Sequence, residues 1–164
     1  MINQNIDIII TGGTFDKEYN ELNGKLYFKK TQIHEMLFQS RAKIDFTINK
    51  LMLIDSLEMT DYDRKKIVES CINNSNERII ITHGTDTMAK TALAINKENL
   101  NKCIVLTGAM IPINFGSSDG LFNLGCAVGF VQSLPMGVYI AMNGNYFKAD
   151  QVRKNTETGS FEYI

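Results

Sequence analysis

Residues 6–20 read IDIIITGGTFDKEYN: four isoleucines around one aspartate run into Thr11-Gly12-Gly13-Thr14, after which the chain turns abruptly polar. An unbroken β-branched run predicts a strand buried on both faces. The glycines bracketed by threonines at its end pose a question, because a strand that merely stops needs neither flexible backbone nor hydroxyls. Residues 79–90, IIITHGTDTMAK, repeat the pattern with an apolar run, a glycine, and threonines beside a carboxylate. The two stretches gain meaning together only if their strand ends lie side by side.

Outward from these, Ile- and Val-rich runs predict strands near 5–11, 44–54, 77–82, 102–107 and 136–142, with helices at about 31–40, 61–73, 87–97 and 118–133. Thr60, three residues ahead of Asp63, predicts an N-cap for the second helix, which then sets Ile67, Val68, Cys71 and Ile72 on one face. The fourth helix, with Leu121, Phe122, Leu124, Ala127, Val128 and Val131, is expected to be buried on more than one side. Alternating apolar strands and helices imply an α/β fold: a three-layer, mostly parallel sheet with helices on both faces, flavodoxin-like, in one domain of 164 residues. Residues 16–30, polar with two tyrosines and four lysines, are expected to form a mobile loop or hairpin. Ligands of open parallel sheets bind outside the carboxyl ends of the strands. That rule directs attention to Thr11–Thr14, Asp55–Ser56, Thr82–Thr87 and Thr107–Met110.

Composition narrows the function. With 44% hydrophobic residues the chain can build a real core, and a net charge of −1 offers no electrostatic case for nucleic acid or an anionic membrane. Its apolar runs are too short to span a bilayer, and its N-terminus lacks a basic region and a small-residue cleavage site. Cys71, Cys103 and Cys126 are odd in number, form no CxxC pair and sit in apolar contexts, as expected of reduced thiols in a cytoplasmic protein. With His34 and His83 the only histidines, no metal site is expected, and no cofactor.

No GxGxxG or Walker pattern follows Gly12-Gly13, so a nucleotide-binding flavodoxin-like domain is disfavoured, and a tight turn alone could explain the glycines. Thr14 is harder to dismiss, since flanking glycines expose its hydroxyl. Such a hydroxyl is a poor nucleophile unless a neighbour takes its proton. Thr85-Asp86-Thr87 offers a second hydroxyl and a carboxylate, although Thr85 or Asp86 is also expected to cap the following helix. His83 beside Gly84 is more in keeping with a structural histidine, and Lys154 alone is unremarkable.

TGGTFDK (11–17), DSLEMTDYD (55–63), THGTDTM (82–88), LTGAMIP (106–112), SDGLFNL (118–124) and VRKNTETGSF (152–161) together resemble, in order, the signature blocks of the L-asparaginase family. The resemblance is to the N-terminal catalytic domain of the bacterial-type members, which usually carry a second, C-terminal domain. It implies a single catalytic domain over 1–164 without that second domain, as in the short asparaginases. Archaeal glutamyl-tRNA amidotransferase subunits share the blocks but carry additional segments.

The resemblance implies an L-asparagine amidohydrolase that forms L-aspartate and ammonia through a threonine acyl-enzyme, with weak glutaminase activity. Thr14 matches the nucleophile; Thr85, Asp86 and Lys154 match the group that handles protons and the attacking water. The mobile-loop tyrosine has two candidates, Tyr19 and Tyr27, and the polar surroundings of Tyr19 favour it. Asp86 would also accept from the substrate ammonium group, Asp55 and Ser56 would hold its α-carboxylate and amine, and the Ala109 carbonyl would accept from the carboxamide. L-asparagine is then the small-molecule partner, and the chain is expected to act as a homodimer or homotetramer. The runner-up, a non-catalytic aspartate- or asparagine-binding sensor, would need neither Thr14 nor Lys154.

Overall fold

In a computed structural model, which describes residues 5–164, the isoleucine run forms strand β1 (Ile6–Gly12), buried along its whole length. Successive strand side chains leave opposite faces. Ile9 accordingly joins one apolar cluster, and Ile6, Ile8 and Ile10 join another on the far side. A 3₁₀ turn, Thr14–Asp16, follows, and then β2 (Lys17–Asn20) pairs antiparallel with β3 (Lys25–Phe28). Residues 16–30 thus resolve as a hairpin.

Strands β4 (Phe46–Ile54), β5 (Arg78–Thr82), β6 (Cys103–Thr107), β7 (Gly137–Met142) and β8 (Asn145–Lys148) complete a six-stranded sheet in the order β4-β1-β5-β6-β7-β8. All neighbours are parallel except β8, which runs antiparallel to β7. Numbered along the chain, the parallel strands stand 2-1-3-4-5, the flavodoxin-like winding expected from the sequence. The chain reverses direction across the sheet between β1 and β5, so a crevice opens beyond their carboxyl ends.

Helices α1 (Ile33–Gln39) and α4 (Gly120–Ser133) cover one face through Ile33, Met36, Leu124, Ala127 and Val131. On the other face lie α2 (Asp61–Asn73) and α3 (Met88–Asn96), which contribute Ile67, Val68, Cys71, Met88, Ala92 and Ile95. The N-cap of α2 is a full capping box: Asp63 N–H donates to Thr60 Oγ1 at 3.3 Å, and Thr60 N–H to Asp63 Oδ2 at 3.0 Å. Ile72 departs from expectation and is exposed, since it lies past the stripe that meets the sheet. Phe122 is likewise exposed, because α4 packs against the sheet on one side only. All three cysteines are free; Cys71 and Cys103 are buried, whereas Cys126 is half-buried on α4.

Three short strands have no counterpart in the expected set. An Asn143-Gly144 turn with φ of 53° and 83° folds β8 back on β7. Beyond it, β9 (Val152–Asn155) and β10 (Ser160–Tyr163) form a second hairpin, anchored by buried Val152 and Phe161 in the α2/α3-side cluster. That hairpin carries Lys154. Among the described residues, no helix is long and apolar enough to cross a membrane.

Candidate active site

The two opening stretches are neighbours: β1 pairs with β5 in parallel, Ile10 opposite Thr82. Gly12 and Gly13 have φ of 112° and 91°, a region that side chains disfavour. Space also requires them. A Cβ on Gly12 would lie 2.5 Å from the Ile54 nitrogen, and one on Gly13 would lie 2.5 Å from the Gly84 nitrogen. The glycines therefore let the end of β1 press against the ends of β4 and β5, leaving half-buried Thr14 at that junction. Contacts continue around the crevice. A Cβ on Gly84 would meet Ser56 Oγ at 2.6 Å, and one on Gly108 would meet the His83 carbonyl oxygen at 2.4 Å.

Into this junction the C-terminal hairpin delivers Lys154, whose ammonium donates to Thr85 Oγ1 at 2.8 Å and to Asp86 Oδ1 at 2.7 Å. The Lys154 side chain is 10% exposed whereas that of Asp86 is 43% exposed, so the ammonium is held inside the site and its carboxylate partner stays open to solvent. Neither Thr85 nor Asp86 caps α3, contrary to expectation. The N-cap is Thr87, which makes no side-chain cap bond and instead donates its hydroxyl to the Ser56 carbonyl at 2.8 Å. Arg64, buried on α2, braces Thr87 through Nη2 at 3.1 Å.

The end of β4 supplies a second polar group. Ser56 is 1% exposed, and its Oγ has no hydrogen-bond partner among the described residues, an arrangement that costs stability unless something else binds there. Both oxygens of Asp55 are engaged, Oδ1 by Leu57 N–H at 2.9 Å and Oδ2 by the Lys17 ammonium. Partial burial alone would raise the Asp55 carboxyl, but the Lys17 and Leu57 hydrogen bonds hold it below the usual carboxylate range.

The family description "Asparaginase, N-terminal" matches residues 5–162. The chain belongs to this family. It is 32% identical over 165 residues to L-asparaginase 1 of Escherichia coli K12, covering 94% of this chain and 48% of that protein. It is also 30% identical over 172 residues to the glutaminase-asparaginase of Acinetobacter glutaminasificans, covering 96% of this chain and 52% of that protein. The fold superposes on the thermostable L-asparaginase from Thermococcus kodakarensis with a TM-score of 0.86 and 26% identity, across 98% of this chain and 51% of that one. The chain thus spans about half the length of the asparaginases it matches.

Within this asparaginase N-terminal domain, Thr85, Asp86 and Lys154 touch one another, and Thr14, Ser56 and Gly108–Ala109 stand at the adjoining strand ends. Tyr19 is not brought to them. It is 56% exposed on β2, with its hydroxyl beside the hairpin turn, 3.9 Å from where a Gly24 Cβ would sit. Tyr27, on β3, is 38% exposed. Asp55 differs from expectation in having both oxygens spent on protein partners. His83 is fully buried: the Gly84 carbonyl can only accept, so Nδ1 carries the proton (2.7 Å) and Nε2 accepts from the Thr91 hydroxyl (2.8 Å). Burial pushes this imidazole down to about 4, which keeps it neutral. No group of three or more His, Cys, Asp or Glu side chains among the described residues could hold a metal ion.

Two contributors escaped the sequence reading: Lys17 and Arg64. Lys17 lies inside the quoted block TGGTFDK, which was the available signal. Arg64 directly follows DSLEMTDYD.

Proposed function

We propose that this chain is the catalytic domain of an L-asparagine amidohydrolase. The observation that carries the reading is the Lys154 ammonium bridging Thr85 Oγ1 and Asp86 Oδ1 beside the glycine-lined end of β1. In this reading the Thr14 hydroxyl attacks the side-chain amide carbon of asparagine. The C–N bond breaks, the hydroxyl proton leaves with the nitrogen as ammonia, and an aspartyl ester remains on Thr14. Water then cleaves the ester, returning Thr14 and releasing L-aspartate. Lys154 and Asp86 hold Thr85 so that its hydroxyl can orient the water and pass its proton. Backbone N–H groups at Thr14 and Thr85 hold the oxyanion that develops in both steps.

The substrate is recognised by complementary charge. Asp86 spends Oδ1 on Lys154 and offers Oδ2 to the substrate ammonium. Ser56 Oγ, buried and unpartnered, donates to the α-carboxylate. Asp55 contributes by fixing Lys17 at the same edge, and the Ala109 carbonyl accepts from the carboxamide N–H. Tyr19 assists Thr14 once the β2–β3 hairpin folds inward, with Tyr27 as the other tyrosine of that hairpin.

The domain extends over 1–164, works in the cytoplasm without cofactor or metal, and assembles as a homodimer or homotetramer. Exposed Met110, Ile111 and Phe115 near the site offer apolar surface for such an assembly. Lys154 favours an enzyme over a sensor, because a binder would not spend a nearly buried ammonium on a hydroxyl. Ammonia release by the purified protein tests the reading: L-asparagine is expected to be hydrolysed readily and L-glutamine only weakly. A protein that binds asparagine and releases no ammonia would instead be the sensor.

A further inference from the structure

SDGLFNL, residues 118–124, has no part in the chemistry above, yet its polar side chains are committed to one loop. Asp119 stands at the N-cap of α4 but makes no capping bond to its own helix. An aspartate there ordinarily satisfies the helix's free N–H groups. Here the carboxylate turns to the segment after β6. Met110 N–H donates to Oδ1 at 3.0 Å and to Oδ2 at 3.1 Å, and Ile111 N–H donates to Oδ1 at 3.1 Å.

Asn123, one turn along α4 and fully buried, ties the carboxylate to two strand ends. Its amide nitrogen donates to Asp119 Oδ2 and to the Gly108 carbonyl, each at 2.9 Å. Its amide oxygen accepts from Asn143 N–H at 2.9 Å, just past β7. No other side chain of this size supplies two donors and an acceptor without a charge. Aspartate would set a second carboxylate against Asp119, and leucine would leave the buried Gly108 carbonyl without this donor.

The peptide between Ala109 and Met110 is the one whose carbonyl is assigned above to the substrate carboxamide. In a planar trans peptide the N–H and C=O point in opposite directions. Drawing Met110 N–H onto Asp119 therefore turns the Ala109 carbonyl away from α4, and a Cβ on Gly108 beside it would meet the Thr85 methyl group at 3.4 Å. A negative acceptor on the N–H also polarises the peptide and makes its carbonyl oxygen a better acceptor. We propose that Asp119, held by Asn123, is a positioning residue that aims and polarises the Ala109 carbonyl toward the amide nitrogen of the substrate, so that the site prefers amides over esters. This rests on the asparaginase reading and deepens it.

The test compares L-asparagine with L-aspartate β-methyl ester, an acyl donor with no N–H to give the Ala109 carbonyl. In Asp119→Asn, the ratio of amide to ester kcat/KM is expected to fall about tenfold or more, as for loss of one charge-assisted contact. Asp119→Glu, which restores the charge, should recover part of the ratio. Equal losses on both substrates would mean a merely structural role, and no loss on either would mean no role; either overturns the assignment. If Asp119→Asn does not fold, Asp119→Ser carries the same comparison. A wild-type chain inactive on asparagine would remove the asparaginase reading. The affinity ratio of asparagine to ester in a Thr14→Ala background, measured by calorimetry, would then decide the role of Asp119 by itself.

Discussion

Lys154 reaches Thr85 across 69 positions of sequence, and only the folded chain makes this ordinary lysine part of a site. Because Thr85 and Lys154 serve one proton path, their loss should be strongly non-additive. Thr85→Val and Lys154→Met are each expected to lower kcat about a hundredfold or more, with the double variant within about tenfold of the worse single one. Losses that multiplied would mean that Lys154 acts independently of Thr85. Asp16 gives a second prediction at this scale. Burial pushes its carboxyl up to about 6, against the pull of hydrogen bonds from Gln32 N–H and the Thr31 hydroxyl. The folded state then holds this proton more tightly than the unfolded chain, so its contribution to stability is present at low pH and is lost as pH rises from about 4 to about 6. The span is on the order of 2–3 kcal/mol. Neutral His83 works in the opposite sense, costing stability as pH falls from 6.5 toward about 4. Asp16 is therefore read from a difference: urea unfolding of wild type and Asp16→Asn should converge at pH 4 and separate in favour of the variant by pH 7. Parallel curves would show that Asp16 does not titrate in this range.

Elements were legible in proportion to how local their causes are. β1, β5 and β6 announce themselves as β-branched runs, and α2 begins where Thr60 and Asp63 close a capping box. Thr60→Ala should cost about 1 kcal/mol in urea unfolding, with activity unchanged. A loss under a few tenths would mean that packing alone sets the start of α2. The strands β8, β9 and β10 are only four residues each and mostly exposed, so no apolar run marks them. The Asn143-Gly144 pair was still a readable hairpin signal, because both residues adopt the positive φ that such turns require. The polar blocks were legible as blocks but not as contacts. Asn123 finds Gly108 and Asn143 at separations of 15 and 20 residues, which only the sheet order sets. Tyr19 shows the limit from the other side: a polar mobile loop or hairpin was expected and a hairpin is found, but its side chain turns toward the hairpin tip rather than the site.

At the scale of the whole molecule, the sheet order explains why the candidate residues come from so much of the chain. The reversal between β1 and β5 opens one crevice, β4 and β6 flank it, and the C-terminal hairpin closes over it with Lys154. Every proposed role converges on a covalent bond to Thr14, and ammonia release from L-asparagine by wild type and Thr14→Ala tests that bond most directly. The wild type is expected to release ammonia in step with aspartate, and the folded variant to lose about a thousandfold or more of that rate. A folded Thr14→Ala protein that kept more than about a tenth of the activity would contradict a nucleophilic Thr14.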